Sequence, residues 1–149
     1  MSLKKKLIAY CKEWVAERIS VAQVAMDHAQ EAANEEGKSS AGDKYETGRA
    51  MMQIERDKAA QQLAEALKLK QLVDGLLETG NPDEVRVGAI VQTTRYHFFI
   101  AISIGKISLD GVDYLLVSAQ SPIGQLLLSK KPGNSITFNR LEEKILRIE

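Results

Sequence analysis

Apolar positions in the first half of the chain recur every three or four residues. They run Leu3, Leu7, Tyr10, Trp14 and then, with a slipped phase, Ile19, Ala22, Met26, Ala29 and Ala33. Such spacing lines up one stripe of a helix, and the slip has the form of a coiled-coil stutter. From Lys44 a second stripe follows as Met52, Arg56, Ala59, Leu63, Ala66, Lys70, Val73 and Leu77, widened by Leu67, Leu72 and Leu76. Between the stripes, Gly37, Gly42, Ser39, Ser40 and Asp43 are residues that end one helix and cap the next. All three prolines, Pro82, Pro122 and Pro132, lie beyond this half, so nothing in it breaks a long helix. The pattern predicts an antiparallel helical hairpin, a coiled coil over residues 1–80 with its tip at 35–46. At 1.5 Å per residue its first helix would be roughly 50 Å long.

Gly80, Asn81 and Pro82 end the helical period, and the texture beyond them is that of strands. Val85, Val87, Ala89 and Val91 alternate with Arg86, Gly88 and Ile90, and residues 96–107 are almost continuously β-branched or aromatic. Asp110-Gly111 is a hairpin-turn signal before a further apolar run from Tyr114 to Ala119. Ser121-Pro122 then has the form of a helix start, Ser as N-cap and Pro at the first position, ahead of Ile123, Leu126, Leu127 and Leu128. Ile136 to Phe138 and Lys144 to Ile148 read as closing strands. Residues 81–149 are thus expected to form a small domain with one helix on a twisted sheet, and the chain as a whole to be α+β.

Composition narrows the function classes. Hydrophobic residues make up 44% of the 149 and aromatic ones only 5%, which fits a folded protein with an aliphatic, Ala-rich core. Twenty basic residues balance twenty acidic ones, so there is no bulk positive field to hold duplex DNA, and no sequence-specific DNA partner is expected. Cys11 is the single cysteine: it excludes an intramolecular disulfide and a thiolate zinc cluster, and fits a buried small hydrophobe in a reducing cytoplasm. The apolar run from Leu7 to Cys11 stops at Lys12 and Glu13, too short for an export signal, and no stretch approaches the ~20 apolar residues of a membrane span. His28 and His97 lack the neighbours of a zinc-binding helix, and no nucleophile elbow, phosphate loop or dinucleotide fingerprint occurs. Lys4, Lys5 and Lys6 read as a solvated helix start.

The hairpin end is acidic. Asp27, Glu31, Glu35, Glu36, Asp43 and Glu46 face only Lys38 and Lys44 in the same stretch. The plain reading of this charge is a solvated turn with acids at the start of the second helix, where they favour its dipole. Asp43 and Glu46 are the sharper pair. Three residues apart at a helix start, they can point to one side, and one or two carboxylates are how a protein commonly shares Mg²⁺ with phosphate groups.

Two stretches of the chain resemble the Gre transcript-elongation and cleavage factors of bacterial RNA polymerase. Gly42-Asp43-Lys44-Tyr45-Glu46 is similar to the Gly-Asp-x-x-Glu at that family's coiled-coil tip, and the run from Ser121-Pro122-Ile123 to Lys131-Pro132-Gly133-Asn134 resembles its C-terminal signature. The tip continues here as Thr47-Gly48-Arg49, and Ser129 stands where the family typically has Gly. The resemblance implies a coiled coil that enters the polymerase secondary channel and an FKBP-like C-terminal domain that docks at its rim. It also implies that Asp43 and Glu46 hold a catalytic Mg²⁺ jointly with the polymerase, which then cleaves backtracked RNA near the nascent 3′ end. Ser121, Pro122 and Ile123 would meet the polymerase, with core packing the plainer role for Ile123. By itself the chain is not expected to be an enzyme. Two other readings stand beside this one: a channel-occupying regulator that does not cleave, and an FKBP-like protein-binding module.

Overall fold

The computed structural model describes residues 2–36 and 43–149, without the side chains of residues 36 and 43–46. Two long helices, α1 (Leu3–Glu36) and α2 (Asp43–Asp74), pack together and are followed by a six-stranded mixed sheet with one short helix. The chain is α+β, as its two periodicities predict. It divides into two compact units, one of residues 12–71 and one joining residues 1–11 to 72–149.

Within the first unit the helices meet along small side chains. Val15, Ala22, Ala29 and Ala33 of α1 and Ala59 and Ala66 of α2 are buried, with Ile19, Met26, Met52, Arg56 and Leu63 half-buried between them. Alanine lets two helix backbones approach closely while burying little area per turn. The expected phase slip is present, but its first stretch is displaced. Tyr10 and Trp14 are only half-buried, and the buried set is Leu7, Ile8, Cys11 and Val15. In α2 the half-buried residue is Leu69 where Lys70 was expected, and Leu77 is exposed beyond the end of the helix. The first shift comes from reading the stripe off bulky residues: the seam admits small and aliphatic side chains, while Tyr and Trp carry polar groups that keep their tips in water.

The second unit holds the sheet, whose strands are β1 (Ile90–Thr93), β2 (His97–Ala101), β3 (Gly105–Leu109), β4 (Val112–Ser118), β5 (Ser135–Phe138) and β6 (Leu141–Ile148). Their order is β3-β4-β2-β1-β6-β5, with β2 and β4 parallel and every other pair antiparallel. The alternating run from Val85 does not become a strand until Ile90. Ala89 N–H donates to Arg86 O at 3.0 Å, and Gly88, at φ +91°, turns the chain while its N–H reaches Ile100 O at 2.7 Å. A period of two describes strands only where no residue takes a left-handed turn, and glycine is the one that does so without strain. The apolar stretch 96–107 is likewise two strands, divided by a tight bend in which Ile104 N–H reaches Ile102 O.

One face of the sheet carries α3 (Pro122–Leu127). There Val91, Phe98, Ile100, Ile136, Ile145 and Ile148 enclose Ile123 and Leu127. On the alternate positions Ile90, Phe99 and Leu116 are also buried, and the first turns of α1, which belong to this unit, bring Leu7, Ile8 and Cys11. Lys6 Nζ binds Asp110 Oδ2 at 2.6 Å in the β3–β4 turn, and Lys4 Nζ lies 3.4 Å from Gly80 O. Asp110 (φ +51°) and Gly111 (φ +80°) form the two-residue hairpin that their sequence predicts. No helix among the described residues is long and apolar enough to cross a membrane.

Candidate functional site

Asp43 opens α2 and Glu46 follows three residues later in its first turn, so the helical backbone sets both positions on one side. Their side chains, and with them the metal-holding geometry expected of this pair, lie outside the described residues. On α1, Asp27, Glu31 and Glu35 are exposed. Asp27 accepts a hydrogen bond from Gln23 at 3.0 Å, and Gln30 donates one to Asn34 at 3.1 Å, so one flank of α1 is laced by polar pairs. Among the described residues no three His, Cys, Asp or Glu form a metal-holding group.

The Ser-Pro motif builds a tightly determined turn. Ser121 caps α3: its Oγ accepts from Gly124 N–H at 3.1 Å and donates to Ser118 O at 2.7 Å, while its own N–H reaches Ser118 Oγ at 3.1 Å. Pro122 takes the first helical position, where a missing N–H costs nothing. A Cβ on Gly124 would stand 2.0 Å from Ser118 O, so only glycine lets β4 and α3 approach this closely. Of the three expected contact residues, Pro122 is exposed, Ser121 is half-buried with its hydroxyl engaged in the cap, and Ile123 is packed into the core. Leu126, exposed one turn on from Pro122, is the apolar side chain that α3 offers outward, a role invisible without the sheet that fixes which side of α3 is covered.

The other candidate groups lie elsewhere in the chain. Cys11 is buried, and burial pushes its thiol up to about 11, far from the thiolate that reactive chemistry needs. His28 is exposed on α1, and His97 lies against the Tyr114 ring at 5.5 Å. His97 borders a shallow hollow of about 300 Å³ with Arg95, Tyr96, Lys106, Asp113 and Leu115, where Lys106 and Asp113 pair at 3.3 Å. Tyr96, Phe98 and Phe138 pack edge to face on one another, with centroids 5.7 to 6.5 Å apart. Phe98 is buried in the core, and Tyr96 and Phe138 pack against it half-buried.

Sequence reading missed one polar device. Thr93 and Glu143, fifty positions apart, are both buried and share a 2.6 Å hydrogen bond. In sequence each sits at a place that a solvent-facing strand position would fill equally well. A search against protein-family models and a search of curated proteins each found no match to this chain.

Proposed function

We propose that this chain binds bacterial RNA polymerase as a Gre-type factor, its helical hairpin entering the secondary channel and its acidic tip stimulating cleavage of backtracked RNA. The observation that carries the reading is the start of α2 at Asp43, which puts Asp43 and Glu46 together in the first turn at the hairpin end. The order of a long hairpin and then a sheet whose short helix is opened by Ser121-Pro122 supports it. Two carboxylates three apart suit a Mg²⁺ whose remaining ligands come from a partner. Asp43 and Glu46 would hold that ion, and when bound it supplies a Lewis acid and an activated water for phosphodiester hydrolysis. The chain's own part is to bring in and orient the carboxylates, while Pro122 and Leu126 offer a surface at the rim.

A regulator that fills the channel without cleaving is the second reading. Arg49, in the next turn of α2, favours it, because a cation near the tip offsets the charge that attracts a metal. Both readings meet in one experiment: transcript cleavage on a stalled, backtracked polymerase, with polymerase binding measured in parallel, for the natural chain and for Asp43→Ala and Glu46→Ala. RNA shortening that is lost in the variants while binding survives is the expected result. Binding without shortening selects the regulator, and no binding sinks both.

A further inference from the structure

Strands β2, β3 and β4 gather chemistry-bearing residues on one face of the sheet. Lys106 is the register partner of Leu115, and Leu115 of Phe98, so the three share a row; Asp113 and Tyr96, two positions before Leu115 and Phe98, fall on the same side. Phe98 and Leu115 pack with the core under α3, but that cover ends towards β3: Leu115 and Tyr96 are half-buried, and Lys106 and Asp113 are exposed. With Arg95 they line the hollow of about 300 Å³, at the small end of the range for ligand sites. His97, which borders it, packs its ring on Tyr114 of the opposite face.

The turn that brings in Arg95 and Tyr96 is held from inside. Thr93 N–H donates to Tyr96 O at 2.8 Å, and the Thr93 hydroxyl accepts the N–H groups of Arg95 at 3.3 Å and Tyr96 at 3.0 Å while donating to the buried Glu143. On its other side Thr94 exchanges two hydrogen bonds with the backbone of Lys144. A buried carboxylate costs desolvation free energy, and what it fixes here is the backbone from which Arg95 and Tyr96 project. Lys106 is partly neutralised by Asp113 at 3.3 Å. Among the described residues no carboxylate pairs with Arg95, whose guanidinium stands 6.0 Å from the Tyr96 centroid, at the outer limit of a cation–ring contact. The hollow therefore combines surplus positive charge, one aromatic and one aliphatic wall, and a single carboxylate acceptor.

We infer that this hollow binds a ribonucleoside monophosphate. Arg95 takes the phosphate through paired N–H donors, and Lys106 adds a second positive charge. The base lies against the Tyr96 ring and Leu115. Asp113, which only accepts, takes the ribose hydroxyls, as an acidic residue does in dinucleotide sites. Simpler ligands fit less well. Inorganic phosphate leaves most of the hollow empty and meets Asp113 as a like charge, and a nucleoside leaves Arg95 unused. A zwitterionic amino acid brings an ammonium for which only the already paired Asp113 stands. The site lies within the sheet domain and is independent of the polymerase reading, because the chain alone binds the ligand.

Titration of the isotopically labelled full chain with AMP, followed by backbone amide NMR, tests it. Saturable shifts centred on Arg95, Tyr96, Lys106, Asp113 and Leu115 are expected, with a Kd on the order of 1 mM or tighter. Inorganic phosphate and adenosine should each bind about tenfold more weakly than AMP, and dAMP, which lacks the 2′-hydroxyl, about fivefold more weakly. Arg95→Gln should weaken AMP binding about tenfold. Asp113→Asn should remove the preference for AMP over dAMP while phosphate-dependent binding survives. Thr93→Val touches no ligand and should weaken AMP binding about threefold by releasing the turn, with circular dichroism reporting an intact fold. The proposal is overturned by an absence of saturable shifts with AMP, by shifts centred elsewhere, or by phosphate binding as tightly as AMP. It is overturned equally if Arg95→Gln or Thr93→Val binds AMP as the natural chain does, or if a ribose preference is absent or survives Asp113→Asn.

Discussion

Thr93 Oγ donates a 2.6 Å hydrogen bond to Glu143 Oε1 inside the sheet domain, where Thr93 is 4% and Glu143 1% exposed. The pair joins β1 to β6 beside a register shift after Gln92, and the same hydroxyl accepts from the N–H groups of Arg95 and Tyr96. Among the described residues Glu143 Oε2 is buried with no partner. Thr93→Val keeps the shape and removes the donor, so it should cost about 2 to 3 kcal/mol in urea unfolding. Glu143→Met removes the buried carboxylate instead and should be neutral or stabilising, the Thr93 hydroxyl turning to Tyr96 O, already 3.3 Å away. A Glu143→Met variant less stable than Thr93→Val would refute this account.

Gly124 and Ser121 separate packing from capping. Gly124→Ala forces a methyl onto Ser118 O and should destabilise by about 3 kcal/mol. Ser121→Ala loses the cap and the hydroxyl's bond to Ser118 O without a steric clash, and should cost about 1 kcal/mol. Thermal unfolding ranks the two, and equal losses would contradict the steric reading.

The β5–β6 hairpin turns through Asn139 (φ +52°) and Arg140 (φ +66°), both left-handed. Arginine pays for that conformation through its Cβ, whereas Asn-Gly suits such a turn. Arg140→Gly is expected to raise stability by about 1 kcal/mol, seen as a higher urea midpoint at unchanged slope.

Burial pushes Lys4 below the ordinary lysine value of 10.5, an effect that Glu149 opposes and Arg86 reinforces. The folded chain therefore binds fewer protons here than the unfolded one, and stability rises with pH through the lowered pKa towards 10.5. Lys4→Met escapes this cost, so it should be more stable than the natural chain at pH 7. The gap should narrow as pH approaches 10.5, and unfolding curves at a series of pH values read it directly. A gap that widened with pH would reverse the assignment.

Period and punctuation along the chain were enough to determine the class of fold. Long three-four stripes free of proline, a turn rich in Gly and Ser, Asp110-Gly111 and Ser121-Pro122 are local signals, and each acts within a few residues of itself. They located both long helices, the capped α3 and the β3–β4 hairpin, because helix stripes, caps and two-residue turns depend on neighbours in sequence. Asp43 and Glu46 were legible in the same way, as acids at a helix start.

Tertiary structure alone decided the rest. The insertion of β4 between β2 and β3, the burial of Ile8 and Val15 in place of Tyr10 and Trp14, and the turn at Gly88 follow from which surfaces meet. The same holds for the Thr93–Glu143 bond and for the close approach at Gly124, where the partner in each case comes from another strand or helix. Local sequence specifies which elements form. Burial, register and close contact are properties of pairs of elements, and they come into being only when those elements pack.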